Sequence, residues 1–179
     1  MIPREEAVRR GMACLGRGHM LPEELAWLWD LAAKAPNGPA VEIGVLCGRS
    51  IVAWSGARYE RGAVWASDIA DRGELRLNLA ALPYRVEVAI APSWEAAAMV
   101  PDGLAFCFID ADHGIDGIPK DILPWTAKVR PGGIVVFHDY GVWKPTVVVK
   151  RYVDLWQRFA QWEDLGAVRS AKTFRRPLR

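Results

Sequence analysis

The sequence predicts an α/β fold: a doubly wound, mostly parallel sheet of seven strands, with helices on both faces and an antiparallel strand pair at the C-terminus. Three observations lead there. Short apolar runs alternate with segments of helical periodicity, the β-α-β-α order of a layered α/β domain. Two runs, Leu104 to Ile109 and Ile134 to Phe137, are apolar at every position, as central strands covered on both faces must be. Four runs end at Gly44, Asp68, Asp110 and Asp139, and parallel sheets place their ligands beyond those strand ends.

The elements follow in order. From Pro22 to Ala35, Leu25, Leu28, Trp29 and Ala32 recur at helical spacing, and Asn37-Gly38-Pro39 stops the helix. Residues 1–36 thus form an N-terminal helical segment of one domain spanning 1–179. Ala40 to Ile43 is the first strand, Arg49 to Tyr59 a helix, and Ala63 to Ser67 the second strand, running into Asp68. Glu74 to Leu82 is helical, Tyr84 to Ile90 is the third strand, and Glu95 to Val100 is a short helix. Pro119 to Lys128 supplies the crossover between the two apolar strands, with Arg130-Pro131-Gly132-Gly133 as a turn. Lys144 to Ala160 is a long helix with Val149, Tyr152, Val153, Trp156 and Phe159 on one face. Trp162 to Val168 and Ala171 to Arg175 form the closing antiparallel pair.

Composition excludes several functions. A net charge of +2 is too small to argue for nucleic acid or an anionic membrane surface. Lys172, Arg175, Arg176 and Arg179 read as the solvated charges of a ragged tail. No run approaches the ~18 apolar residues of a membrane span, and the charged N-terminus is unlike a signal peptide. Cys14, Cys47 and Cys107 show no CxxC spacing, which excludes a zinc ribbon and places the chain in a reducing cytoplasm. Nine tryptophans are many for this length, enough to cover an interface or substrate pocket besides the core.

The first strand turn reads Glu42-Ile43-Gly44-Val45-Leu46-Cys47-Gly48-Arg49-Ser50. Glycines let a backbone approach a ligand closely, and the following helix start favours a carboxylate. Glu42 on the strand would attract an amino group and repel a phosphate. The spacing departs from both the dinucleotide fingerprint and the P-loop. Asp68, some 20 residues beyond the turn, is placed to accept bonds from both hydroxyls of a ribose. Together these features describe a nucleoside carrying an amino acid.

The run AVEIGVLCGRS resembles motif I of class I S-adenosylmethionine-dependent methyltransferases, in the variety of the catechol-type enzymes. The stretch FCFIDADHGIDGIPKDILPWTAKVRPGGIVVFHDYG is similar to the bacterial macrocin-type sugar O-methyltransferases. The resemblance covers about residues 20 to 140. It implies that Glu42, Gly44, Gly48 and Ser50 surround the methionine part of the cofactor, with Ser50 near its carboxylate. It further implies that Asp68 holds the ribose, that Ile69 packs on the adenine, and that Ser93 and Trp94 contact that ring.

Methyl transfer is an in-line displacement that requires positioning and, for a hydroxyl acceptor, removal of a proton. Asp110, Asp112, His113, His138 and Asp139 crowd the rim where the methyl emerges. His113 suits the base because it titrates near neutrality, and Asp112 is the second candidate. Asp110 and Asp139 are also placed to bind Mg²⁺, which would acidify a coordinated hydroxyl; Asp110 alternatively binds the cofactor's amino group. Related metal-dependent enzymes carry Asp or Asn after the second aspartate, where this chain has Tyr140. Only about 20 residues precede the helix at Pro22, whereas many relatives have a longer lid. The pocket is then open, completed by a second subunit in a homodimer, or shaped for a large acceptor, with Trp143 in a plausible acceptor loop. The favoured acceptor is a hydroxyl on a small molecule. Methylation of nitrogen or of a macromolecule, a non-catalytic binding module and a nicotinamide dehydrogenase are the competing readings. The asparagine-proline pair of amino-methylating enzymes is absent after the fourth strand, which favours oxygen.

Overall fold

The computed structural model describes residues 1–141 and 147–179. Trp143 and the predicted helix start at Lys144 lie outside the described residues. The helices are α1 (Arg4–Met12), α2 (Pro22–Lys34), α3 (Arg49–Trp54), α4 (Gly73–Ala80), α5 (Ser93–Met99), α6 (Ile118–Lys128) and α7 (Val147–Ala160). The strands are β1 (Ala40–Ile43), β2 (Val64–Asp68), β3 (Glu87–Ile90), β4 (Leu104–Ile109), β5 (Val129–Phe137), β6 (Glu163–Val168) and β7 (Ala171–Arg175). They make one seven-stranded sheet in the order β3-β2-β1-β4-β5-β7-β6. The pairs from β3 to β5 are parallel, and β7 runs antiparallel to both β5 and β6. The chain therefore winds outward from β1 on one side and restarts at β4 on the other, which opens a crevice between the ends of β1 and β4.

Period-two alternation divides the core into two layers. Phe106 and Phe108 of β4 point with Ile134 and Val136 of β5 toward Leu25, Leu28 and Trp54. Cys107 and Ile109 point with Val135 and Phe137 the opposite way, toward Ile122, Trp125 and Val153. Burying each such aromatic or aliphatic side chain stabilises the fold by about 1.5–3 kcal/mol.

Several local expectations are revised by tertiary contacts. A helix, α1, precedes α2; it has no apolar stripe to mark it in the sequence, since only Ala7 and Gly11 are buried. Its small faces let it sit against α3, where a Cβ on Gly11 would come within 2.7 Å of the Arg49 carbonyl. The helix from Arg49 stops at Trp54 and tightens into a 3₁₀ turn at Ser55–Ala57, where the Ser55 hydroxyl bonds back to the Ile51 carbonyl. β3 begins at Glu87, not Tyr84, because the Tyr84 ring stacks on Tyr59 at 4.2 Å and its hydroxyl meets Ser55. Arg130 to Gly133 is not a turn but the first part of β5, with a bulge opposite Leu104 and Phe106. Only the end of the basic C-terminus is a solvated tail: Lys172 and Arg175 belong to β7 and pair with Asp164 and Glu163 of β6, Arg176 donates to the Val129 carbonyl, and Arg179 is exposed. Among the described residues, no helix is long and apolar enough to cross a membrane.

Arg58 is a buried tie between layers. Its guanidinium donates to the carbonyls of Ala32, Pro36 and Gly38, each at 2.9 Å, so it closes the end of α2 over the entry to β1. Replacing it by methionine keeps the bulk and orphans these carbonyls. We expect Arg58→Met to lose about 3 kcal/mol or more in a urea unfolding curve, against about 1 kcal/mol for the neighbouring Arg61→Met.

Candidate active site

At the crevice, the first residue past β1 is Gly44. A Cβ there would lie 2.0 Å from the Asp110 carbonyl oxygen, and its φ is +83°, so only glycine lets the two strand ends meet. The turn that follows is held by Asp68 at the end of β2. One Asp68 oxygen accepts the Leu46 N–H at 2.8 Å and the other the Ala70 N–H at 3.0 Å. Gly48, at φ +89°, then starts α3.

A cleft of about 900 Å³ opens over these residues. Gly44, Ser50, Asp68, Ile69, Ser93, Trp94, Asp110, Asp112, His113 and Asp139 all line it. Ile69 and Trp94 are 73% and 48% exposed, which leaves two apolar surfaces at the mouth beside Asp68. The Ser93 hydroxyl accepts a bond from the Trp125 indole at 2.8 Å, which fixes the start of α5. Glu42 and Gly48 do not line the cleft. Glu42 is fully buried beneath it, where Ser50 and the Trp54 indole (2.5 Å) donate to its two oxygens. Burial pushes its carboxyl up to about 8 despite both donors.

The rim is a charged network. The His113 Nε2 lies 2.7 Å from Asp139 Oδ2, and the His138 Nδ1 lies 3.1 Å from Asp110 Oδ1 and 3.6 Å from Asp139. On its other side, His138 Nε2 meets the Ser170 hydroxyl at 3.0 Å, and that hydroxyl donates to Glu24 at 2.8 Å. Burial opposes a charge on His138, but the bonds to Asp110, Asp139 and Glu24 outweigh it and push the imidazole up to about 12. Burial likewise opposes a charge on Asp139, yet the bonds from His113 and His138 hold its carboxyl well below the usual range. The bond to Asp139 raises His113 above its ordinary value. Asp112 is occupied differently: it accepts the Gly114 N–H at 2.7 Å and packs on Gly117, while Asp121 accepts its own N–H.

Asp110, His113 and Asp139 each bring one donor atom into a group whose members lie within 4.8 Å of one another. Tyr140 does not join them, since its hydroxyl donates to Asp154 and receives Lys150 at 3.2 Å. Glu24 and Ser170 escaped sequence reasoning. Glu24 shows only as an acid in the first turn of α2, where it accepts the Leu21 N–H at 3.1 Å, and Ser170 sits in the tight turn between β6 and β7.

A family model described as a methyltransferase domain matches residues 41–140, from β1 through the rim. The chain belongs to this methyltransferase-domain family. Its fold is that of the class I methyltransferases. Among solved structures, the O-methyltransferase NovP superposes with a TM-score of 0.74 at 20% identity, covering 97% of this chain and 88% of that one. The Bacillus cereus O-methyltransferase in complex with SAH gives 0.71 at 20%, covering 98% and 93%. Cofactor-bound Rv0187 from MTB gives 0.73 at 18%, covering 98% and 89%. At such identities the likeness is one of fold. No curated protein matches the chain by sequence.

Glu42 gives this methyltransferase a pH signature. An unfolded glutamate ionises near 4.5, whereas the buried one does so only at about 8. Between those values the folded chain holds the extra proton, so this group's stabilisation is full below about 4.5 and falls until about 8. Glu42→Gln keeps the shape and removes the titration. In urea unfolding at low and high pH, the variant should match the parent in acid and exceed it above pH ~8. An identical pH slope in both proteins would contradict the assignment.

Proposed function

We propose that this enzyme transfers the methyl group of S-adenosylmethionine to a hydroxyl oxygen of a small molecule. The observation that carries the reading is the convergence, in one cleft, of the glycine turn, Asp68, the exposed Ile69 and Trp94 faces and the Asp110-His113-Asp139 rim. A ribose fits Asp68, whose two oxygens keep free lone pairs after bracing Leu46 and Ala70. A flat adenine fits between Ile69 and Trp94, with Ser93 at its edge. The methionine part extends along Gly44 to Ser50, and its sulfonium methyl faces the rim. Glu42 acts from below by fixing Ser50 and Trp54, and Gly48 by its backbone conformation.

His113 is the base. With its Nε2–H donated to Asp139, the neutral ring turns Nδ1 outward to take the acceptor's proton. The raised proton affinity that Asp139 confers makes it a stronger base. Asp112 serves instead to shape the loop that presents it. The same rim suits a divalent cation: Asp110, Asp139 and His113 would hold it, with the imidazole favouring a transition metal over Mg²⁺. Such an ion would acidify a coordinated hydroxyl. His113 cannot be ligand and base at once, so a metal effect on turnover separates the two routes.

Calorimetric titration with S-adenosylmethionine, S-adenosylhomocysteine and NAD tests the reading. We expect saturable binding of both adenosyl ligands and none of NAD. Asp68→Ala should weaken adenosyl binding at least about tenfold, and Asp68→Asn, which keeps an acceptor for Leu46, should weaken it less. Mn²⁺ or Mg²⁺ binding that disappears in Asp139→Asn would support the metal route. A folded protein that binds no adenosyl ligand would overturn the function.

A further inference from the structure

The loop between α1 and α2 is stitched onto the glycine turn. Asn78 of α4 bridges them: its amide donates to the carbonyls of Leu15 and Cys47 at 3.0 and 2.7 Å, while its oxygen accepts the Leu15 N–H at 2.9 Å. Two glycines of the loop pack with no room for a side chain. A Cβ on Gly16 would come within 2.6 Å of the Cys47 sulfur, and one on Gly18 within 2.6 Å of the Arg49 Nε. Arg49, the first residue of α3, is trapped between. Its Nη1 donates to the Gly18 carbonyl at 2.7 Å, and its Nε is buried with no hydrogen-bond partner.

The guanidinium lines the cleft, yet among the described residues no carboxylate lies within ion-pair distance of it. The nearby Glu42 already takes Ser50 and Trp54. Ser50, the side chain expected near the cofactor's carboxylate, is therefore turned down into the protein. This inference rests on the cofactor reading above. With the ribose at Asp68 and the methyl at the rim, the amino-acid end of the cofactor is directed to the remaining wall. Arg17, Gly18 and His19 of the loop line it together with Leu46, Cys47 and Arg49; Arg17 is exposed at its edge, whereas Arg49 is braced within it.

We infer that Arg49, braced by Gly18, is the receptor for the cofactor's methionine carboxylate. A guanidinium that is held by one carbonyl and has no carboxylate partner among the described residues keeps donors that suit a carboxylate. The short loop at residues 13–21 thereby forms the cover over that end of the cofactor.

Decarboxylated S-adenosylmethionine, which lacks only this carboxylate, isolates the contact. The parent protein should bind S-adenosylmethionine at least about tenfold more tightly than the decarboxylated form. Arg49→Gln should shrink that preference to within about twofold, with Arg49→Lys intermediate, while affinity for the decarboxylated ligand stays the same. Gly18→Ala, which drives a methyl into the guanidinium, should reduce the preference as well. Arg17→Gln, at the exposed edge of the cleft, should leave it intact. A preference that survives Arg49→Gln, is absent in the parent, or is abolished by Arg17→Gln instead overturns the assignment. Failure of the folded parent to bind either ligand overturns the cofactor reading itself. Thermal unfolding of each variant identifies any that does not fold, and Arg49→Lys then carries the comparison.

Discussion

Where β1 and β4 end side by side, the backbone of Gly44 lies directly on the carbonyl of Asp110, and the cleft is organised around that approach. Any side chain at Gly44 would force the two strand ends apart. Because the chain reverses its winding direction at this point, the helices that follow β1 and β4 leave on different sides and the crevice stays open. Asp68 reinforces the junction by holding the Leu46 N–H, so one carboxylate from β2 fixes the turn and still faces the cleft. The same carboxylate thus braces the glycine turn and lines the cleft.

The second organising feature is electrostatic. Asp110, Asp139 and Glu24 would repel one another in a half-buried site without a cation among them. His138 supplies that cation from the end of β5, and Ser170 extends its reach to Glu24. Elements distant in sequence are joined through one imidazole: α2, β4, β5 and the turn between β6 and β7. Such a network is strongly coupled, and each member sets the proton affinity of the others. His113 stands at its exposed end, where Asp139 first, and then Asp110 and Asp112, raise its proton affinity.

Much of this was legible from residue order. The strands that are apolar on both faces were readable because burial on two sides removes alternation, and β1, β4 and β7 have the predicted bounds. Gly44, Asp68, Asp110 and Asp139 were readable as strand-end residues. Elements set by tertiary packing were not. α1 lacks an apolar stripe since it packs through Ala7 and Gly11, and β3 is shortened by the Tyr59–Tyr84 stack. Arg130 to Gly133 carries turn residues but is held in β5 by its bulge and by bonds to Arg176.

The sequence by itself determined the layer order, the position of the cleft at the strand ends and the chemical types gathered there. Local pattern suffices for these, because periodicity and glycine placement act over a few residues. Tertiary structure alone decided which groups are free. It turned Ser50 toward Glu42, committed Asp112 to its own turn, recruited Glu24 and Ser170 to His138, and braced Arg49 on the Gly18 carbonyl. Hydrogen-bond partners are chosen by proximity in space, and residues separated by 146 positions, such as Glu24 and Ser170, carry no mark of one another in the chain.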